Sequence, residues 1–186
     1  MSVTKGIWKA LLLAILSVFI TPAIAYPAIQ KRGIFEYTGD GRLLLFNTHT
    51  NEFLEVQYKD KDGRYIEEGI QKIRHFLRCR LTGEERDMDL RLIELVDYIS
   101  DHFGGNKVIE VISGYRSPEL NAELRMAGRG VAKRSLHMEG KAMDIRLRGV
   151  PTSDVRNYAL SLHAGGVGYY RGPDFVHIDT GRVRMW

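Results

Sequence analysis

Two short apolar runs, Arg42 to Phe46 and Phe53 to Tyr58, flank the turn-like stretch Asn47 to Asn51, a pattern that predicts a β-hairpin. The period then lengthens. Ile66, Ile70, Ile73 and Leu77 fall on one helical face between Tyr65 and Leu77, and Leu92, Val96, Ile99 and Phe103 repeat the pattern from Asp89 to Phe103. Gly104-Gly105 ends the second helix. The β-branched run Lys107 to Ile112 predicts a strand. Ser117 followed by Pro118 reads as an N-cap with proline at the first helical position, opening a helix to about Ala127.

Gly128 to Ser135 is a basic, glycine-containing loop. Beyond it, Ala142 to Leu147 reads as a strand and Ser153 to His163 as a helix closed by Gly165-Gly166. Val167 to Tyr170 and Phe175 to Asp179 read as strands joined by the turn Arg171-Gly172-Pro173-Asp174. The order is hairpin, two helices, strand, helix, strand, helix, hairpin. It predicts one α+β domain over residues 42–186, with a largely antiparallel sheet and helices on one face. Residues 26–41 read as a loose N-terminal arm.

The first 25 residues change the picture of charge. Lys5 and Lys9 precede an apolar run from Ala10 to Ile20, followed by Ala23-Ile24-Ala25. A charged start, an apolar middle and a small-x-small site predict a secretory signal peptide cleaved after Ala25, and hence a periplasmic protein with no stable membrane insertion after cleavage. The run is short for a bilayer span, which takes roughly 20 residues. Cleavage removes two lysines and no acids, so the formal charge falls from +4 to +2. Such a value argues against nucleic-acid binding, which needs a concentrated basic face. Cys79 is the single cysteine, which excludes an internal disulfide and a multi-cysteine zinc site; it reads as a packing residue. His49, His75, His102 and His163 sit on turns or helix ends and read as structural or solvated.

Chemistry concentrates in two segments, Ser135-Leu136-His137-Met138-Glu139-Gly140-Lys141-Ala142-Met143-Asp144 and Asp174-Phe175-Val176-His177-Ile178-Asp179. His137, Asp144 and His177 would supply three zinc ligands from a loop and two strands, leaving a fourth position open, as catalytic zinc requires. Gly140 lets the chain turn back between His137 and Asp144. By spacing alone, two histidines and an aspartate are a weak signal.

The full wording is more specific. Ser135-x-His137-x-x-Gly140-x-Ala142-x-Asp144 resembles the signature of the zinc D-alanyl-D-alanine peptidases, a group that includes the VanX dipeptidases and shares its fold with hedgehog signalling domains. Ser113-Gly114-Tyr115-Arg116-Ser117 resembles the group's arginine-bearing motif, and Phe175 to Asp179 its closing ligand strand. From about Leu43 to Trp186, including Gly165 to Tyr170, the likeness is to the MepK-like (YcbK-like) murein endopeptidases.

The resemblance implies one zinc ion on His137, Asp144 and His177, with Arg116 as the cation facing the scissile carbonyl or a substrate carboxylate. It also implies peptidoglycan as substrate, cut at cross-links of D-alanine to meso-diaminopimelate or between two meso-diaminopimelates. The general base stays open among Asp174, three residues before His177, Asp179, which shares strand parity with His177, and Glu139. Asp174 also suits a plain turn position, and Asp179 could instead orient a ligand imidazole. A non-catalytic zinc-containing murein-binding or signalling module is the alternative from another class; a missing base would favour it.

Overall fold

The structure is a computed structural model that describes residues 35–186. The expected leader (1–25) and the arm up to residue 34 lie outside the described residues. No helix among the described residues is long and apolar enough to cross a membrane.

Seven strands form one mixed sheet: β1 (Arg42–Asn47), β2 (Phe53–Gln57), β3 (Val108–Ser113), β4 (Ala142–Leu147), β5 (Gly166–Tyr170), β6 (Phe175–Asp179) and β7 (Arg184–Met185). Their spatial order is β2-β1-β3-β4-β6-β5-β7. The β1–β2, β3–β4, β4–β6 and β5–β6 pairs are antiparallel, whereas β1–β3 and β5–β7 are parallel. The expected α+β, largely antiparallel architecture therefore holds. The two parallel pairs follow from long crossovers that no local pattern reveals.

The helices are α1 (Glu67–Phe76), α2 (Leu90–His102), α3 (Pro118–Met126) and α4 (Thr152–Ser161). The Ser117 side chain caps α3 by accepting the Leu120 N–H at 3.3 Å, with Pro118 at the first helical position as its sequence predicts. Asp89 caps α2 through the Arg91 N–H at 3.0 Å. Leu92, Val96 and Ile99 of α2 are fully buried. Both α2 and α4 contact β4 and β6, whose Met143, Ile145, Val176 and Ile178 belong to the same core.

Strand alternation then decides what faces the other way. With Met143 and Ile145 in the core, Asp144 points to the opposite face, and with Val176 and Ile178 inside, His177 and Asp179 do the same. Asp144 lies directly opposite His177 in the β4–β6 register.

Candidate metal centre

His137 reaches this face from a short 3-10 helix, Leu136–Glu139, that ends at Gly140 with φ +68°. A side chain at 140 would strike the Asp87 carbonyl oxygen, 2.4 Å from an added Cβ, so the turn-back needs glycine twice over. Between Val111 and Ser113 the β3–β4 register shifts, and Ser113 comes opposite Asp144. An irregularity of this kind re-aims side chains beside a site. Ser113 Oγ accepts Arg116 Nε at 2.8 Å, and Arg116 Nη2 donates to Asp144 Oδ2.

Three donor atoms converge. His137 Nε2 lies 3.2 Å from Asp144 Oδ1 and 3.2 Å from His177 Nδ1, and His177 Nδ1 lies 2.8 Å from Asp144 Oδ1. All three residues are buried. The outer nitrogens define the tautomers. His137 Nδ1 lies 2.8 Å from the Gly114 carbonyl, which can only accept, so that nitrogen carries the proton. His177 Nε2 lies 3.0 Å from Asp179 Oδ2 and carries its proton by the same reasoning. Two imidazole lone pairs and a carboxylate oxygen thus face one another.

Such a set attracts a cation. Ligand atoms about 2.0–2.1 Å from a tetrahedral zinc ion stand about 3.3 Å apart; the two spacings from His137 Nε2, 3.2 Å each, are close to that, and the 2.8 Å from His177 Nδ1 to Asp144 Oδ1 is shorter. Nitrogen and carboxylate donors with their outer atoms tied down are what zinc takes. Among the described residues the only other grouping of this type is Asp40, Asp97 and Asp101, which has no nitrogen donor.

Electrostatics agree. Burial disfavours the Asp144 carboxylate, but His137, His177 and Arg116 around it hold its pKa well below the ordinary range. Burial pushes the His137 imidazole down, with Asp144 opposing. Burial alone would lower His177 too, yet Asp144 and Asp179 outweigh it and raise its pKa. Asp179 is fully buried. Burial would raise its pKa, but His177, Arg184 and the Gly181 N–H bring it down to about 2.

The remaining expected site residues separate. Arg116 is beside the cluster, and Nη1 is its one guanidinium nitrogen without a hydrogen bond among the described residues. Asp179 is wrapped by His177, Arg184 and the N–H groups of Gly166 and Gly181, which is an orienting position behind the ring. Asp174 is not brought to the cluster. It sits in the β5–β6 turn with φ +55°, its side chain 60% exposed, and accepts the Thr152 hydroxyl at 2.5 Å. It precedes β6, so strand alternation does not aim it at the cluster, and its carboxylate lies between the Thr152 hydroxyl and Arg146 Nη1, 4.0 Å away. Glu139 is also turned away, paired with Lys141 at 2.9 Å on the surface. Cys79 is fully buried, as a packing residue would be.

A cavity of about 670 Å³ opens in front of the cluster. Tyr170, Phe175 and Trp186 line it from the β5–β7 side. Tyr170 and Phe175 stack at 4.5 Å, and Trp186 Nε1 donates to the Tyr170 hydroxyl at 3.0 Å. The Trp186 ring lies where a side chain at Gly168 would stand, 2.6 Å from an added Cβ. Among the described residues Asp144 is the only acidic side chain in the lining. His49, assigned no chemistry from sequence, does line the cavity, carried there by the β1–β2 turn. Burial and the neighbouring Arg80 push its pKa down, with the Ile112 backbone opposing.

The family model described as peptidoglycan L,D-endopeptidase MepK matches residues 36–186. The chain is 43% identical over 144 residues to the peptidoglycan L,D-endopeptidase MepK of Escherichia coli strain K12, covering 77% of this chain and 79% of that one. It is 42% identical over 147 residues to the probable peptidoglycan L,D-endopeptidase MepK of Haemophilus influenzae, covering 78% of each. No solved structure matches it significantly.

Proposed function

This chain belongs to the peptidoglycan L,D-endopeptidase MepK family, and from that premise we propose that it is a zinc peptidase that opens peptide cross-links of peptidoglycan in the periplasm. The observation that carries the metal is the convergence of His137 Nε2, Asp144 Oδ1 and His177 Nδ1, with the outer nitrogen of each ring held by the Gly114 carbonyl or Asp179. The relatives' L,D designation favours the cross-link between two meso-diaminopimelates, whose amide joins an L centre to a D centre. The D-alanine cross-link joins two D centres. The apolar leader 1–25 supports export to where this substrate lies.

His137, Asp144 and His177 would hold the zinc. Bound there, it supplies a Lewis acid that polarises a carbonyl and makes water a nucleophile near neutral pH. Gly114 and Asp179 fix the two imidazole rings, so the donor atoms need no reorganisation. Arg116, anchored through Nε and Nη2, presents its remaining edge as a fixed cation for the oxyanion that forms when an amide is attacked. The geometry gives Asp174 no part in this. We assign proton transfer to His49, an imidazole that lines the same cavity.

A second reading, a murein-binding module without turnover, is favoured by one observation: among the described residues no acidic side chain besides Asp144 lines the cavity. Incubating the zinc-loaded protein with muropeptide dimers linked through two diaminopimelates separates the two. The peptidase releases monomers, detected by mass; a binding module retains intact dimers.

A further inference from the structure

The cavity has a strongly cationic side. Arg80, Arg116, Arg129, Arg134 and Arg184 all line it. Two of these are committed: Arg116 to Asp144 and Arg184 to Asp179. Arg80, Arg129 and Arg134 form no ion pair among the described residues, and the only acid in the lining is already held by Arg116. Three positive charges therefore face one cleft without compensation. The protein as a whole does not explain this, because its formal charge after loss of the leader is only +2.

The segments that carry these arginines are tethered. Arg129 and Arg134 flank a loop whose Ala132 and Lys133 carbonyls accept the buried Asn121 side-chain amide at 3.2 and 3.5 Å. Leu120 and Leu124 of the same helix, α3, line the cavity beside them. Arg80 lies in a turn closed by the Gly83 N–H on the Cys79 carbonyl at 2.8 Å, and the Tyr115 N–H on the Leu77 carbonyl at 2.9 Å ties that region to the Arg116 loop. Guanidinium groups carried on these segments match carboxylates, whose two oxygens accept parallel N–H bonds. Uncompensated cations in a cleft also raise the local concentration of an anionic ligand.

We infer that Arg80, Arg129 and Arg134 form a carboxylate-recognition wall that binds the free carboxylates of the peptide stems beside the scissile amide. This rests on the peptidase reading above and adds the determinant of substrate choice. A stem cross-linked through diaminopimelate keeps carboxylates next to the bond to be cut, so the wall seats the substrate by charge while the aromatic side of the cavity contacts its apolar surface. Amidation of those carboxylates removes the recognised group and leaves the scissile bond unchanged.

The test compares wild type with the triple variant Arg80→Gln, Arg129→Gln, Arg134→Gln, both zinc-loaded, on dimers with free and with amidated diaminopimelate carboxylates. The wall predicts a KM about tenfold higher for the triple variant on the free-carboxylate dimer, as expected for lost charge-assisted bonds, with unchanged zinc content and melting temperature. On the amidated dimer the two proteins have equal KM. A KM unchanged by the substitutions, or raised equally on both dimers, overturns the wall and leaves the peptidase reading standing. If wild type cleaves neither dimer, the peptidase reading falls, and calorimetric binding of the same dimers decides the wall: weaker binding by the triple variant supports it, and equal affinity overturns it.

Discussion

His177 offers its two ring nitrogens to two different carboxylates, Nε2 to Asp179 at 3.0 Å and Nδ1 to Asp144 at 2.8 Å. Asp179 fixes the proton on the outer nitrogen and so leaves the inner lone pair for a metal. Asp179→Asn is therefore expected to weaken zinc binding by about 10–100-fold, the usual effect of losing a partner that orients a ligand. Competition with a chelator of known affinity measures it. Wild-type affinity in that variant would make Asp179 a packing residue only.

Alanine at His137, Asp144 or His177 should abolish stoichiometric zinc binding and turnover together. Asp144→Ala carries an extra cost, because it leaves Arg116 as a nearly buried cation without its partner. Breaking a buried pair from one side costs about 3–5 kcal/mol, so this variant should melt below the two histidine variants when all three are compared without metal. Equal melting temperatures would mean that Arg116 finds another partner.

Arg116→Ala should keep its zinc and lose turnover by about 2.7–4 kcal/mol, the loss expected for one oxyanion donor. Kinetics on a cross-linked dimer, with metal content measured on the same sample, check this. An unchanged rate would reduce Arg116 to support for Asp144.

The two candidates for proton transfer make opposite predictions. His49→Gln should retain fold and zinc and lose most activity, because an amide cannot take the proton. Asp174→Asn should stay near wild type, since its carboxylate meets Thr152 on the far side of the sheet. An active His49→Gln would remove His49 from catalysis, and a dead Asp174→Asn with full zinc would return that role to Asp174.

Asp97 carries a pH dependence away from the site. It is fully buried, its Oδ2 accepts the Tyr58 hydroxyl at 2.6 Å and the Gly41 N–H at 2.9 Å, and its Oδ1 has no partner among the described residues. Burial, aided by Asp101 and Asp40 and opposed by those hydrogen bonds, pushes its pKa up to about 7. The folded state then keeps a proton that the unfolded chain releases near pH 4. Stability conferred by that proton is complete below about pH 4 and declines as pH rises through about 7, by a total on the order of 4 kcal/mol. Melting temperature should fall between about pH 4 and 7 and level off above, and Asp97→Asn should flatten that slope. An equal slope in the variant would assign the effect to other groups.

The grouping of His137, Asp144 and His177 was suggested in the sequence by the wording of two segments, which resembles a zinc-peptidase signature, and not by spacing; the structure brings the three together because the β4–β6 register sets His177 opposite Asp144. The place of Asp174 was not legible, because counting three residues back from His177 passes the start of β6 into a turn, where φ +55° sends the side chain to Thr152. His49 reaches the cavity only through the parallel β1–β3 pairing, with Asn47 opposite Val111, a contact between segments far apart in the chain. The two-residue strand β7 is equally hidden, since it forms by pairing with β5 at the sheet edge and has no apolar period of its own.

The most direct measurement is turnover during metal reconstitution. Residues 26–186, stripped of metal, are titrated with zinc while release of monomers from dimers linked through two diaminopimelates is followed. Activity should be absent at the start, rise linearly and level off at one zinc per chain, with no rise in the His177→Ala variant. Full activity in the stripped protein, or saturation with zinc at His137, Asp144 and His177 without monomer release, would contradict a zinc peptidase at this centre.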